Sequence, residues 1–166
     1  MADKDVIIQE KVEKTGIFSF KDAYAYAFDW FKEEDYGLVE EKYQEKVAGN
    51  EREIAIVWKA TKSVGDYFRI EIGVDYEVSN LVDVEVEVDG KKQKSNKGRI
   101  VMKLKGVLIK DPGSDWDSSP FNKFIRGIYD KYIIKKTIDG MEDRVTGDVQ
   151  GLKEHMKTFF ELTGKQ

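Results

Sequence analysis

Three glutamates stand where an alternating pattern asks for apolar side chains. Glu10 shares its phase with Val6, Ile8 and Val12, while Glu41 and Glu45 share theirs with Val39, Tyr43 and Val47. An ionised carboxylate in a dry core is costly unless it is paired or wetted, so these positions admit two readings. Either they line a hydrated cavity between a sheet and a helix, where raised pKa values would support acid–base work, or their strands lie at a sheet edge. The edge reading, with the carboxylates in solvent or paired to lysines such as Lys11 and Lys42, is the plainer one and is preferred. Aromatic rings are the other raw material for a site. Tyr24, Phe28, Phe31, Trp58, Phe68, Tyr76, Phe124 and Tyr129 converge if two helices cover one sheet, building either a pocket for an apolar ligand or a filled core.

Other chemistry is sparse. His155 is the one histidine, sits at the edge of an apolar helical face, and reads as packing or surface rather than as a catalytic base. No cysteine occurs, which removes thiol catalysis and thiolate metal sites and suits a reducing compartment. The spacings DxDxDG, HExxH and paired CxxC are absent, as are both glycine-rich phosphate-cradling loops, so no metal and no cofactor is expected. With 28 basic against 32 acidic residues the net charge is -4, a field that repels nucleic acid and anionic lipid. The basic run Lys91 to Arg99 lacks interleaved aromatics for base stacking, and reads as a solvated hairpin loop; nucleic acid is an unlikely partner. Nothing from Met1 to Val12 resembles a signal peptide and no run of about twenty apolar residues spans a membrane, so a cytoplasmic protein is expected.

The elements that must position these residues follow from periodicity. At 166 residues the chain fits one α+β domain, 1–166. Strands are expected at Asp5–Lys14, Leu38–Ala48, Glu53–Ser63, Tyr67–Val78, Leu81–Val88 and Arg99–Lys110. Together they make a single antiparallel sheet of about six strands, apolar on one face. Val82, Val84, Val86 and Val88 continue the apolar face of Phe68 to Val78, and Ser79–Asn80 marks a bend or bulge between the two runs. Thr15 and Gly16 end the first strand. Ser19 caps a helix from Lys21 to about Asp35, stopped by Gly37. Ser118 or Ser119, followed by Pro120, opens a C-terminal helix carrying Phe121, Phe124, Ile128, Tyr129 and Tyr132. The period resumes at Met141, Val145, Val149, Leu152, Met156 and Phe160, so this region is one long helix or two joined near Asp139 and Gly140.

Strand, helix, an antiparallel run and a long final helix, over nearly the whole chain, resembles the helix-grip (START-like, SRPBCC) superfamily. That resemblance implies a curved sheet wrapped about the last helix around a ligand cavity. The segments DWFKEEDYG (29–37), VDGKKQKSNKG (88–98) and IYDKYI (128–133) are similar to those of uncharacterised archaeal proteins, a likeness that brings no activity with it. The expected function is a non-enzymatic binding module holding an apolar or amphipathic small ligand among Glu10, Tyr24, Phe28, Glu41, Trp58, Phe68, Tyr76, Phe124 and Tyr129. Such a ligand needs a hollow of about 300 Å³. The alternative is an interaction or homo-oligomeric module that presents the apolar stripe of Met141 to Leu162 to a protein partner; an enzyme using Glu10 and Glu41 ranks behind both.

Overall fold

The structure, a computed structural model, describes residues 3–65, 67–110 and 134–163, with side chains in the last segment from 137 to 162. Five strands form one antiparallel sheet: β1 (Asp3–Phe18), β2 (Gly37–Ala48), β3 (Glu51–Val64), β4 (Phe68–Val88) and β5 (Lys91–Lys110), in the order β1-β5-β4-β3-β2. A helix, α1 (Phe20–Glu33), follows β1, and α2 (Ile134–Thr163) closes the described chain. The expected fold class is found, with five strands in place of about six. The difference lies in β4, where the two runs read as separate strands are one strand of 21 residues that passes through a bulge rather than a turn. Asn80, in the left-handed region at φ 54°, and a register shift between Ser79 and Val82 absorb the extra residues.

That bulge changes which face each later side chain takes, because a one-residue slip exchanges the faces of a strand. Ile70, Ile72, Val74, Tyr76 and Val78 lie under the helices and are at most 3% exposed. Beyond the bulge it is Leu81 that is buried, and Val82, Val84, Val86 and Val88 pair with Lys97, Ser95, Gln93 and Lys91 on the opposite face. The valine row therefore does not continue the core face as its phase implies. The lysine-rich run is strand as well: Asp89 and Gly90, both at positive φ, make a two-residue turn, and Lys92 and Lys94 pair opposite Glu87 and Glu85. Opposite charges across the hairpin support its register.

Local chemistry sets the ends of α1. Ser19 accepts a hydrogen bond from the Asp22 amide at 3.3 Å, and the side-chain oxygen of Asn96 accepts from the Phe20 amide at 3.0 Å, so two free amides of the first turn are satisfied. At the other end Asp35, not Gly37, takes the left-handed position at φ 63°. The Tyr36 amide then reaches the Phe31 carbonyl at 2.9 Å and the Asp35 amide the Lys32 carbonyl at 3.2 Å, a Schellman closure with aspartate in the usual place of glycine. Thr15 and Gly16 do not end β1, which runs on to Phe18 with Gly16 at φ 125°.

Across its described length α2 is continuous through Gly140, Gly147 and Gly151; the expected helix start at Ser118–Pro120 and the residues to Ile133 lie outside the described residues. Val145, Val149, Leu152, Met156 and Phe160 form its buried stripe, at most 3% exposed, and rest on β1 and β5. Each such side chain contributes about 1.5–3 kcal/mol on burial, which more than offsets two or three glycines at about 1 kcal/mol apiece. The approach is close enough to require glycine beneath it. A Cβ on Gly106 would lie 2.7 Å from a Val145 methyl, 2.8 Å from one of Val149 and 2.9 Å from one of Ile8. The stripe expected to meet a partner is thus covered by the molecule's own sheet.

Candidate functional site

The aromatic residues converge at one place, the seam between α1 and the β2–β3–β4 side of the sheet. Tyr24 and Phe28, one turn apart on α1, stand over Trp58 of β3, with ring centroids 4.9 and 6.4 Å from it. Tyr76 of β4 lies against Trp58 at 4.9 Å and Tyr24 at 6.5 Å, and Phe31 adds a contact at 6.2 Å. A carboxylate completes the group. Glu40 accepts from the Tyr24 hydroxyl at 2.8 Å and from the Trp58 indole N–H at 3.1 Å, both through Oε1.

Glu40 rather than Glu41 is the carboxylate on the helix side, a correction to the sequence expectation with a definite cause. The register passes from Glu40 opposite Trp58 to Lys42 opposite Val57, leaving Glu41 as the extra residue of a bulge. On one side of it Leu38 and Glu40 face the helices, on the other Tyr43 and Glu45 do, and Val39 falls on the outer face. Bulges commonly serve to re-aim a side chain in this way. The parity change between Leu38 and Tyr43 was the available signal.

The remaining expected residues disperse. Glu10 does face α2, but Lys153 holds it at 2.9 Å in a part-buried ion pair far from the aromatic group. Glu45 faces Arg52 at 3.7 Å on edge strand β2. Phe68 is buried at the far end of β4, six residues or about 20 Å along the strand from Val74, the partner of Trp58; its ring meets Tyr67 instead. Phe124 and Tyr129 lie outside the described residues. His155 stacks flat on Tyr26 at 3.9 Å, a packing role. Among the described residues no group of three acidic, histidine or cysteine side chains could hold a metal ion.

The hydroxyls of the cluster are donors at neutral pH. Burial, then the hydrogen bond and charge of Glu40, push Tyr24 up to about 12. Burial, then Glu45 and Glu40, raise Tyr43, and burial, then Tyr24 and Glu40, drive Tyr76 well above the ordinary phenol value. Yet among the described residues the Tyr76 hydroxyl, on a residue only 1% exposed, has no hydrogen-bond partner. A buried polar atom left unpaired costs about 1–3 kcal/mol.

Two hollows bear on access. One of about 460 Å³ lies on the α1–β2 seam, with Phe28, Lys32, Tyr36 and Leu38 in its walls, and meets the cluster through Phe28 alone. The larger, about 740 Å³, crosses the outer face of the sheet, where Gly73 leaves a floor without a side chain between Lys59 and Lys105. Its charges largely cancel, with Lys59 on the part-buried Glu71 at 3.3 Å and Lys103 on Glu77 at 3.1 Å, the second an exposed pair of small energetic weight.

No family model matches the chain, and no curated protein matches it. Among solved structures it is similar to an uncharacterized protein from Rhizobium leguminosarum, with 8% identity over 95% of this chain and 99% of that one, at a TM-score of 0.23. A likeness of that size carries neither fold nor function across. No helix among the described residues is long and apolar enough to cross a membrane.

Proposed function

We propose that the protein is a non-enzymatic cytoplasmic binding module whose small, amphipathic ligand enters along the α1–β2 seam and reaches the Tyr24–Trp58–Tyr76 cluster. The Tyr76 hydroxyl carries this reading. It is a donor, buried among rings, and unpartnered among the described residues, so a ligand oxygen or nitrogen brought to it gains a hydrogen bond that none of them supplies. The seam hollow exceeds the lower size of ligand pockets, about 300 Å³. Phe28, 42% exposed, and the half-buried Tyr24 are the side chains that must swing aside. An element order resembling the helix-grip arrangement, with a sheet covered by a long final helix, supports the same reading by analogy of architecture.

The test is native mass spectrometry of the full chain purified from its own cells, beside the Tyr76→Phe variant. A stoichiometric small-molecule adduct retained by the wild type and lost or weakened in the variant is the expected result. Bare protein in both, with no small molecule released on denaturation, overturns the proposal.

A further inference from the structure

Among the described residues Glu40 is held by aromatic donors and by no cation. Its Oε1 takes two neutral donors, Tyr24 and Trp58, which fix the carboxylate in place without neutralising it. Glu45, two strand positions beyond Tyr43 on the same face, has Arg52; Glu10 has Lys153; Glu13 has Lys11 and Arg99. Glu40, exposed on edge strand β2, has no such cation among the described residues. Tyr24 donates to it, Tyr43 lies within reach of its charge, and Phe28 packs on Trp58 at 6.4 Å; Phe28 and Tyr43 are 42% and 50% exposed. Aromatic rings about a fixed carboxylate attract a weakly hydrated organic cation twice over, through ring quadrupoles and through charge.

We infer that the ligand is an organic ammonium ion, its cationic head seated between Glu40 and the rings of Tyr24, Phe28 and Tyr43, and that a neighbouring hydroxyl or carbonyl group on it meets Tyr76. The inference rests on the binding reading above and adds the ligand's class. An inorganic cation does not fit the same description. It demands several oxygen ligands, whereas the described partners of this carboxylate are two aromatic side chains. A neutral apolar ligand would leave the charge of Glu40 unused. Lys32 lies a turn beyond Phe28 on α1 and lines the seam hollow with it, so the cationic head is placed away from Lys32, at Glu40, and the uncharged body toward the hollow.

Choline and its uncharged carbon analogue 3,3-dimethylbutan-1-ol separate these cases, since they share shape and hydroxyl and differ in charge. Each is titrated into the full-length protein while the indole N–H resonance of Trp58, assigned with a Trp58→Phe variant, is followed by NMR. Choline is expected to shift that resonance and to bind roughly tenfold or more tightly than the alcohol. Added salt weakens the choline interaction alone. Glu40→Gln keeps an acceptor for Tyr24 and Trp58 but removes the charge; it should abolish the preference while leaving the weak binding of the alcohol unchanged. Equal affinity for the two probes, or a preference that survives Glu40→Gln, overturns the cationic assignment and leaves the binding reading standing. No response to either probe, from a protein that mass spectrometry shows to retain a neutral molecule, also overturns it. If that experiment finds no retained molecule either, both fall together.

Discussion

Replacing Tyr76 by phenylalanine should stabilise the ligand-free protein, the opposite of what losing a buried tyrosine hydroxyl usually does. The ring contacts with Trp58 and Tyr24, at 4.9 and 6.5 Å, do not involve the oxygen, so phenylalanine keeps them. What disappears is a desolvated donor with no partner among the described residues, worth about 1–3 kcal/mol. Against this stands the space of one oxygen, which at about 24 cal/mol per Å³ of cavity costs only about 0.3 kcal/mol. The net gain is about 1 kcal/mol or more, and each kilocalorie moves the melting temperature of a chain this size by roughly 2–4 °C. Tyr36→Phe is the control. Its hydroxyl donates to Asp148 at 2.6 Å across the gap between β2's approach and α2, and a hydrogen bond to a charged acceptor contributes about 1.5–3 kcal/mol. Thermal unfolding of refolded, ligand-free protein should therefore rise for Tyr76→Phe and fall for Tyr36→Phe. A drop of similar size in both would mean that the Tyr76 hydroxyl is satisfied in solution, and the argument for a ligand at that atom would go with it.

Alkaline pH should unfold the protein through its phenols. Tyr24, Tyr36 and Tyr76 hold their protons more tightly folded than unfolded, so the stability they lend is complete below the ordinary phenol pKa of 10.0 and is lost as pH rises beyond it. Phenolate absorbance should show Tyr36 and Tyr76, two of the eight tyrosines, ionising only together with loss of structure and half-buried Tyr24 titrating late, and smooth titration of all eight in folded protein would contradict the burial described. Gly106→Ala forces a methyl group against Val145, Val149 and Ile8 and should cost about 1–3 kcal/mol, read as a lower denaturant midpoint at unchanged slope. Ser19→Ala should cost about 1 kcal/mol through loss of the α1 cap; an unaltered midpoint would assign the capping to Asn96 alone.

Where the sequence spoke through amphipathic contrast, it was legible. Ile70 to Val78, the α1 cap at Ser19 and the buried stripe from Val145 to Phe160 stand as expected, because each rests on a period that tertiary packing reinforces. Charge density misled the reading of Lys91 to Lys97, which is strand, with Lys92 and Lys94 in register opposite Glu87 and Glu85. Composition there resembled a loop, and the decisive information lay in the partner strand. Gly37 was assigned the helix stop for a similar reason: glycine is the usual left-handed residue, and Asp35, which tolerates that conformation, took the position instead. The Glu10–Lys153 pair joins residues at opposite ends of the chain, a distance no local pattern spans.

The site itself turned on two bulges. Periodicity assumes that a strand keeps its phase, and in this sheet the assumption fails at Glu41 and again at Ser79 to Val82. The first failure exchanges Glu41 for Glu40 as the carboxylate that meets Tyr24 and Trp58; the second turns four valines away from the helices. Both alter the sheet's face without altering its hydrophobic content, which is why composition and moment are blind to them. An uninterrupted β2 would put Glu41 in phase with Tyr43 and leave the Trp58 indole N–H facing another side chain. Deleting Glu41 should accordingly restore regular pairing of β2 with β3 while keeping Glu40 opposite Trp58, on the side of the rings. Choline binding should therefore survive that deletion in a folded protein, and its loss would mean that the carboxylate opposite Trp58 is not what recognises the cation.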